Sequence, residues 1–435
     1  MKQIVILGAG ITGLSTAFHL KHNYEIFEKE DISGGLCRSN KINDFIFDYT
    51  GHLLHFKNER VKNLCFNLLE NNLKQKKRNA YVHLLNQDIK YPFQLYFGNL
   101  PSNVVIECIL SLLEEQEKKK CFLCQGKIQQ IKNFQDWMIA NYGKGISKYF
   151  MIPYNEKLWQ FPLTKMSFEW INKTIPNLKQ IDILKSAFLK HQSNIGYNAF
   201  FWYPSKDGIE KLVQAFNSHI KKVNLKEEIY RISLKDHLLY FKSGIKIKYD
   251  KLVSTIPLPE LITMIDEIPL EIKKVCKNLK WTSVYNLNIG LNKSLTNKKH
   301  WIYFPEKQYP FYRIGFYSNF SSYLVPENKS SIYTEFAYFS DSKINKKDIK
   351  NKTIKSLIDI GIINSDQEIL FMQENDIKYA YVIYDLTYKE NMNLIKNFLT
   401  KHNIYSIGRF GGWQYFSIED CILEGIETAQ FLNKI

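Results

Sequence analysis

The sequence has no apolar run long enough to cross a membrane. None of its 435 residues belongs to a stretch approaching the roughly 18 uninterrupted apolar residues of a spanning helix. The nearest one, residues 104–113, is interrupted by Glu107. The apolar run at the N-terminus ends at Leu7 in a glycine loop, with no small-residue cleavage site. We therefore expect a globular protein of the cytoplasm, with neither a membrane span nor a secretion signal.

Cysteine is scarce, and metal-ligand patterns are incomplete. The chain has seven cysteines, of which only Cys121 and Cys124 form a close pair. No second Cys or His pair accompanies them, as a structural zinc site would require. His52 and His55 are three residues apart but have no obvious third ligand. We expect reduced, mostly buried cysteines and no metal centre.

Sequence signals for side-chain catalysis are missing as well. We find no Ser-His-Asp arrangement and no carboxylate pair at a diagnostic spacing. There is also no internal repeat and no long linker, which excludes a repeat architecture. Any covalent chemistry is therefore expected to come from a cofactor rather than from a protein nucleophile.

Acidic residues are outnumbered: 59 basic against 43 acidic residues give a net charge of +16. Such a charge suits a nucleic-acid or membrane surface. The lysines are scattered, however, and do not follow one motif. We interpret them as a compositional bias with a modest preference for anionic substrates, and we expect no specific nucleic-acid partner.

What the sequence does contain begins at its N-terminus. Residues 4–7 are Ile-Val-Ile-Leu, and Gly8, Gly10 and Gly13 follow as G-x-G-x-x-G. Gly8 permits a sharp turn, Gly10 lacks the Cβ that would block a pyrophosphate, and Gly13 lets a helix pack close to the strand. The helix N-terminus offers free N–H groups to the phosphates. This pattern predicts the start of a dinucleotide-binding βαβ unit.

A second group of signals follows in register. Residues 24–28 read as a strand that ends in Glu28, a carboxylate placed to accept hydrogen bonds from a ribose diol. Gly34, Gly35 and Arg38 come next, a pattern used by flavoproteins with an amine-oxidase-like FAD domain. An NAD site or a chance glycine turn is the alternative.

Periodicity and turn signals predict the other elements. The predicted strands and β-rich segments are 45–49, two strands within 79–91, short strands within 223–254, 281–340 and 404–407. Helices are predicted over 60–75, over most of 100–190 and from about Glu419. Residues 250–257 resemble the buried strand that returns to the FAD domain in this flavoprotein class. The last helix is expected to direct its N-terminus at the flavin, stabilising reduced flavin by roughly 1 kcal/mol.

Several longer segments resemble the UDP-galactopyranose mutase family, closer to its long eukaryotic type. They are FDYTGHLLHF, YPFQ, YGKGISKYFMIPYNEKLWQFPLTKM, YPSKDGIEKL, WIYFPEKQYPFYR and GRFGGWQY. The resemblance covers most of the chain, with gaps near 110–130, 170–200 and 340–375.

The resemblance implies an α/β fold: a discontinuous Rossmann-like FAD-binding domain with an inserted helical domain and an antiparallel β-sheet domain. The expected boundaries are 1–78, 200–265 and 400–435 for the FAD domain, 95–199 for the helical domain, and 79–94 with 266–399 for the sheet domain.

The resemblance also implies roles for individual residues. Arg313, Lys206 and His52 would be catalytic, with Arg313 gripping a diphosphate and His52 facing the flavin. The implied substrate-binding residues are Tyr91, Phe93, Gln94, Asn155, Trp159, Tyr303, Tyr381 and Tyr415. The implied cofactor-binding residues are Gly8, Gly10, Gly13, Glu28, Gly34, Gly35, Arg38, Gly51, Arg409 and Asp420. Taken one at a time, Phe93, Trp159 and Tyr303 fit core packing as well as ligand binding.

Two departures from the family pattern concern the substrate. Lys206 stands where the family has an arginine, so bidentate geometry is lost although the charge is kept. Asp207 replaces a glycine and adds negative charge, and Thr50 replaces a glycine before Gly51. A different nucleotide sugar is one reading of these changes.

The implied reaction interconverts the pyranose and furanose forms of UDP-galactose or a related NDP-sugar, through a sugar adduct at N5 of reduced FAD. NADPH or NADH would be the reductant, and cell-surface polysaccharide synthesis the setting. An FAD-dependent oxidoreductase of the amine-oxidase or protoporphyrinogen-oxidase class is the alternative, and an RNA-directed or non-catalytic flavoprotein is a remote one. The sequence does not determine the sugar, the base or the oligomeric state.

Overall fold

The structure is a computed structural model. It describes residues 3–124, 130–171, 178–188, 199–340 and 342–435. The chain forms two compact units. Unit 1 comprises Met1–Lys76, Phe201–Lys280 and Thr387–Ile435, and unit 2 comprises Lys77–Phe200 and Trp281–Leu386.

The strands are numbered in chain order. They are β1 (Ile4–Leu7), β2 (Tyr24–Phe27), β3 (Ser39–Ile42), β4 (Phe45–Asp48), β5 (Leu73–Lys77), β6 (Ala80–Leu84), β7 (Gln87–Lys90), β8 (Phe200–Pro204), β9 (Ile229–Ser233), β10 (Leu238–Phe241), β11 (Lys246–Lys248), β12 (Lys251–Ser254), β13 (Trp281–Leu291), β14 (Trp301–Tyr303), β15 (Arg313–Phe316), β16 (Ser330–Phe339), β17 (Ile369–Val382) and β18 (Ile404–Ser406).

The helices are numbered in the same way. They are α1 (Ile11–His19), α2 (Glu59–Leu69), α3 (Ser102–Cys124), α4 (Phe134–Ile146), α5 (Ile152–Trp159), α6 (Gln180–Phe188), α7 (Glu210–Asn217), α8 (Leu258–Met264), α9 (Leu270–Lys277), α10 (Tyr317–Phe320), α11 (Lys346–Asp359), α12 (Tyr388–Lys401), α13 (Gly408–Gly411) and α14 (Ile418–Leu432).

A parallel sheet forms the centre of unit 1, in the order β18-β12-β1-β2. Strand β1 is buried along its whole length and pairs with β2 on one side and β12 on the other. Continuous apolar runs suit parallel strands because both faces of such a sheet are covered. The pairing of β12 with β1 confirms that the segment around 250–257 returns to the N-terminal strand.

Helices α1 and α14 pack closely against each other in unit 1. A Cβ built on Gly425 of α14 would lie 2.8 Å from Cβ of Ser15 on α1. Ser15 Oγ donates to the Ile422 carbonyl at 2.8 Å. The C-terminal segment is thereby held beside the first helix. Smaller antiparallel sheets, β9–β11 and β3–β4, and the β5–β8 pair complete the strand pairings of this part.

Unit 2 contains a mixed sheet in the order β17-β13-β16-β15-β14-β6-β7. The long strands β13, β16 and β17 pair antiparallel, as the sequence predicted. The pair β6–β14 is parallel, which the prediction of a purely antiparallel sheet did not include. Strand β6 comes far earlier in the chain than β14, so turn signals gave no information on its direction.

The helical prediction for 100–190 is confirmed over α3, α4, α5 and α6. Its residues 125–129, 172–177 and 189–190 lie outside the described part. A Cβ on Gly145 would lie 2.6 Å from Cα of Cys108, so this glycine allows α4 to approach α3 closely. Gly143, at φ +76°, interrupts the helical backbone of α4.

The predicted helix over 60–75 is too long. Helix α2 ends at Leu69, and Glu70 has φ +49°, outside the helical region. Residues 73–77 form β5 instead, because they pair with β8. The proposed division into a helical and a sheet domain stays a prediction, since these segments share unit 2.

Two further sequence expectations concern membranes and thiols. Within the described ranges, no helix has the length and apolarity that a membrane span requires. Five of the seven cysteines are buried, and two, Cys121 and Cys124, are exposed.

Candidate functional site

The glycine loop between β1 and α1 has the geometry of a phosphate cradle. Gly8 has φ +92°, and a Cβ on Gly13 would lie 2.0 Å from the Gly8 carbonyl oxygen. A Cβ on Gly10 would meet no heavy atom within 4 Å apart from its chain neighbours. The space beside Gly10 at the helix N-terminus is therefore free for a ligand, which fits a bound pyrophosphate.

Glu28 is held at the edge of this loop. Its Oε2 accepts the Ala9 N–H at 2.8 Å, and its Oε1 accepts the Glu30 N–H at 3.1 Å. These backbone donors fix the carboxylate while each oxygen keeps a further lone pair. The arrangement fits the acceptor role toward a ribose diol that the sequence predicted.

The second glycine pair lies against the first loop. Gly34 forms a parallel bridge with Gly10, and its N–H donates to the Ala9 carbonyl at 2.8 Å. Arg38 Nε donates to the Gly35 carbonyl at 2.6 Å. The structure thus brings both glycine motifs, Glu28 and Arg38 into one part of unit 1.

The C-terminal segment reaches the same place. A Cβ on Gly408, at φ +83°, would lie 2.6 Å from Thr12 Oγ1 in α1. The Arg409 guanidinium lies over the Tyr415 ring at 4.8 Å from its centroid. Asp420 Oδ2 accepts the Ser417 N–H at 2.9 Å and so forms the capping box of α14. That contact accounts for Asp420 without a ligand, and its cofactor role stays a prediction.

Two loops of unit 1 contain the predicted residues His52 and Lys206. Nδ1 of His52 lies 3.2 Å from the Thr50 carbonyl oxygen. The Lys206 N–H donates to Asn72 Oδ1 at 3.0 Å, which holds the loop backbone. Asp207 has φ +69°, a left-handed conformation in which glycine is strain-free, so the family glycine at this position has a conformational reason. Oδ2 of Asp207 also lies 3.6 Å from Nζ of Lys211, and this ion pair partly offsets the negative charge of Asp207.

Unit 2 contains a buried ion pair that the sequence analysis missed. Arg313 Nε and Nη2 donate to the two carboxylate oxygens of Glu335 at 2.6 and 2.7 Å. Glu335 is 1% exposed, whereas the Arg313 side chain is 19% exposed. The bidentate fork expected for a diphosphate is thus occupied by Glu335.

Several tyrosines lie near this arginine. Strand pairing sets Tyr303 opposite Arg313, and the Arg313 guanidinium lies 5.9 Å from the ring centroids of Tyr312 and Tyr333. The hydroxyls of Tyr312 and Tyr381 are 3.3 Å apart. Burial raises the pKa of both Tyr312 and Tyr333, so these hydroxyls stay protonated and can donate.

Tyr91 belongs to the same neighbourhood. Its ring centroid lies 5.1 Å from that of Tyr303. A third tyrosine, Tyr154 of α5, lies 5.2 Å from Tyr303. Sequence reasoning had singled out Tyr91 and Tyr303 but not Tyr154, Tyr312, Tyr333 or Glu335. A glutamate two residues after Tyr333, within the apolar strand β16, was the available signal, because i and i+2 share a strand face.

Three of the predicted substrate-binding residues hydrogen-bond or pack against other residues of the protein. Trp159 Nε1 donates to Asn155 Oδ1 at 3.1 Å, and Asn155 Nδ2 donates to the Met151 carbonyl at 2.7 Å. Phe93 is fully buried, 5.2 Å from the ring of Phe150. These contacts favour the core-packing interpretation of Phe93, and they give Trp159 and Asn155 a structural role of their own.

Gln94 differs from these residues. Its Nε2 donates to Met151 Sδ at 3.1 Å. Its Oε1 is buried and has no hydrogen-bond partner among the residues that the structure describes. A buried acceptor without a partner costs free energy, on the order of 1–3 kcal/mol, unless a ligand satisfies it. Among the predicted base-binding residues, Gln94 therefore has a buried acceptor oxygen for which the described residues provide no donor.

The chain matches one family model over residues 11–430, that of the flavin containing amine oxidoreductases. The chain belongs to this family. Family membership makes the cofactor a flavin. The double glycine cradle with Glu28 fits its dinucleotide form, FAD.

Solved structures with the same fold include three enzymes of different activity. A reduced UDP-galactopyranose mutase has a TM-score of 0.91 at 24% identity, covering 99% of this chain and 94% of that one. A putative protoporphyrinogen oxidase from Exiguobacterium sp. 255-15 has a TM-score of 0.74 at 13% identity, covering 100% and 99%. A CLA-producing fatty acid isomerase from P. acnes has a TM-score of 0.69 at 12% identity, covering 99% and 98%. At these identities the similarity establishes the fold, and the activity must be argued from the residues.

Proposed function

We propose that the chain is an FAD-dependent nucleotide-sugar mutase that interconverts pyranose and furanose forms of UDP-galactose or a related NDP-sugar. The observation that carries this proposal is the partly exposed Arg313, which pairs with Tyr303 across the sheet and lies near the adjacent hydroxyls of Tyr312 and Tyr381. A guanidinium edge with several neutral O–H donors suits a diphosphate. The fold similarity to a UDP-galactopyranose mutase supports the same reading.

The residues have distinct tasks in this proposal. Bound reduced FAD supplies the nucleophile for the anomeric carbon. Arg313 and the tyrosine hydroxyls hold the diphosphate and stabilise the negative charge that develops on it as it departs. The family resemblance assigns Lys206 to nucleotide binding as a further cation. Gln94 Oε1 accepts a hydrogen bond from the base. Uracil, with its N3–H donor, meets that requirement.

An assay of the reduced protein tests the proposal. We expect dithionite-reduced protein to convert UDP-galactopyranose or another member of an NDP-sugar panel into its furanose form, detected by chromatography. Oxidised protein should be inactive. The reaction returns the flavin unchanged, so NADPH or NADH would be needed only to reduce it. Equal turnover by oxidised protein would contradict the mutase proposal.

The second candidate is an oxidase of the amine-oxidase or protoporphyrinogen-oxidase class, favoured by the family to which the chain belongs. It predicts hydrogen peroxide from oxidised protein with amines or porphyrinogens and no furanose product. The same assay therefore separates the two. Cytoplasmic location and a role in cell-surface polysaccharide synthesis remain proposals that follow from the mutase reading.

Lys206→Arg tests the departure from the family pattern. An arginine can bind two phosphate oxygens at once, so we expect UDP to bind more tightly, by roughly 1 kcal/mol. Calorimetric titration measures the difference, with the exposed Lys222→Arg as the control for a lysine-to-arginine change elsewhere in unit 1. A variant that loses activity on its best sugar without gaining UDP affinity would indicate that Lys206 is adapted to a different substrate.

A further inference from the structure

Asp48 is a buried carboxylate at the end of β4 that the proposed chemistry does not use. It is 1% exposed. Its Oδ1 accepts the Ser39 hydroxyl at 2.6 Å and the Ile209 N–H at 3.1 Å, and its Oδ2 accepts the Tyr203 hydroxyl at 2.7 Å. Three donors from three different segments therefore converge on one side chain.

Two of these donors bracket the loop that contains Lys206. Tyr203 lies before the loop, at the end of β8, and Ile209 lies directly after it. Gly208 has φ +68°, and a Cβ there would lie 2.8 Å from Asp48 Oδ1. The backbone can approach the carboxylate this closely because the position is a glycine. Asp48 thus joins the two ends of the Lys206 loop through these hydrogen bonds.

Asp48 also lies directly before the loop that contains His52. Residues 49–58 connect β4 to α2, and their middle is joined to β8 by the reciprocal backbone bonds of Leu54 and Trp202, at 3.0 and 2.8 Å. Their end is held by Glu419 Oε1, which accepts two backbone N–H groups at 2.7 Å. Both loops are therefore fixed to a common strand, β8.

We propose that Asp48 is a positioning residue that fixes the Lys206 loop and so places Lys206 for nucleotide diphosphate binding. This inference rests on the proposed function for its ligand. Its structural half, that Asp48 fixes the loop, rests only on the contacts above.

The cost of burying this carboxylate supports a positioning role. Burial raises the pKa of Asp48 to about 6, against the opposing effect of its three donors. A buried charge is expensive, and apolar packing often serves stability equally well. The geometry that Asp48 imposes on two loops gives a reason for its presence that packing does not.

Proteolysis of the purified protein tests the structural half. We expect trypsin to cleave after Lys206 at least fivefold faster in Tyr203→Phe and Asp48→Asn than in the unmodified protein, measured by mass spectrometry of the peptides. Tyr249→Phe is the matched control, since the Tyr249 hydroxyl is buried in the same unit and has no hydrogen-bond partner in the described part of the chain. Unchanged cleavage in both variants would show that Asp48 does not hold the loop.

A double-mutant cycle tests the functional half, with UDP as the probe. Tyr203→Phe should weaken UDP binding about fivefold in the unmodified background and less than twofold in Lys206→Ala, because the effect passes through Lys206. FAD content should stay unchanged. Equal losses in both backgrounds, or no loss in either, would overturn the inference.

The outcomes also separate this inference from the function on which it rests. If the unmodified protein does not bind UDP, the proposed function fails, and the ligand half of the inference fails with it. If it binds UDP and the cycle shows no coupling, only the inference fails. The trypsin result stands in either case.

Discussion

Gly10→Val is expected to leave the protein folded and to abolish FAD binding. Gly10 has φ −73° and ψ 177°, an extended conformation that valine adopts readily. Its Cβ would meet no heavy atom within 4 Å apart from chain neighbours. The valine side chain would therefore occupy space that the chain leaves free, where the pyrophosphate is expected. We expect a loss of FAD affinity of at least 100-fold, equivalent to about 3 kcal/mol.

Flavin absorbance after reconstitution with FAD, together with the melting temperature of the apoprotein, measures the two halves of this expectation. Thr263→Val, which also introduces valine but at an exposed position of α8, is the control. A yellow Gly10→Val protein would place the cofactor elsewhere. A variant that binds FMN instead of FAD would contradict the dinucleotide assignment.

The cofactor unit could be predicted in detail because its signals are local. Gly8, Gly10 and Gly13 each have a steric reason within a single turn. The return of β12 to β1 was expected because residues 250–257 resemble the corresponding buried strand of this flavoprotein class. Helix α2 was predicted too long because the backbone of Glu70 and the pairing of β5 with β8 depend on residues far along the chain.

The anion site in unit 2 shows the limit of sequence reasoning. Arg313 was singled out because the family resemblance implies that it grips a diphosphate. The structure gives it a protein partner, Glu335, which is 22 residues away and adjacent only through strand pairing. The unsatisfied Oε1 of Gln94 could not be predicted either, because it depends on which side chains of the described residues surround Gln94 in the folded chain.

The Glu335 contact decides how Arg313 must be tested. Arg313→Ala alone leaves Glu335 buried without its partner, and losing one member of a buried pair costs about 3–5 kcal/mol of folding stability. Weaker UDP binding by that variant would then have two explanations. The double variant Arg313→Met with Glu335→Gln removes both charges and keeps similar side-chain volumes. We expect it to recover part of the stability that Arg313→Ala loses, because the buried charge is removed although the introduced amide stays buried.

The double variant should still fail to bind nucleotide. Without the guanidinium, we expect UDP affinity to fall by about 2 kcal/mol or more, roughly 30-fold, while FAD content stays normal because the cofactor motifs are in unit 1. Arg231→Ala is the matched control: it breaks the exposed pair with Asp266, at 2.8 Å, and should change stability little and UDP affinity not at all. Titration of UDP and thermal unfolding of all three variants supply the measurements. If the double variant binds UDP as tightly as the unmodified protein, Arg313 serves only its buried partner, and the oxidase candidate becomes the better account of this fold.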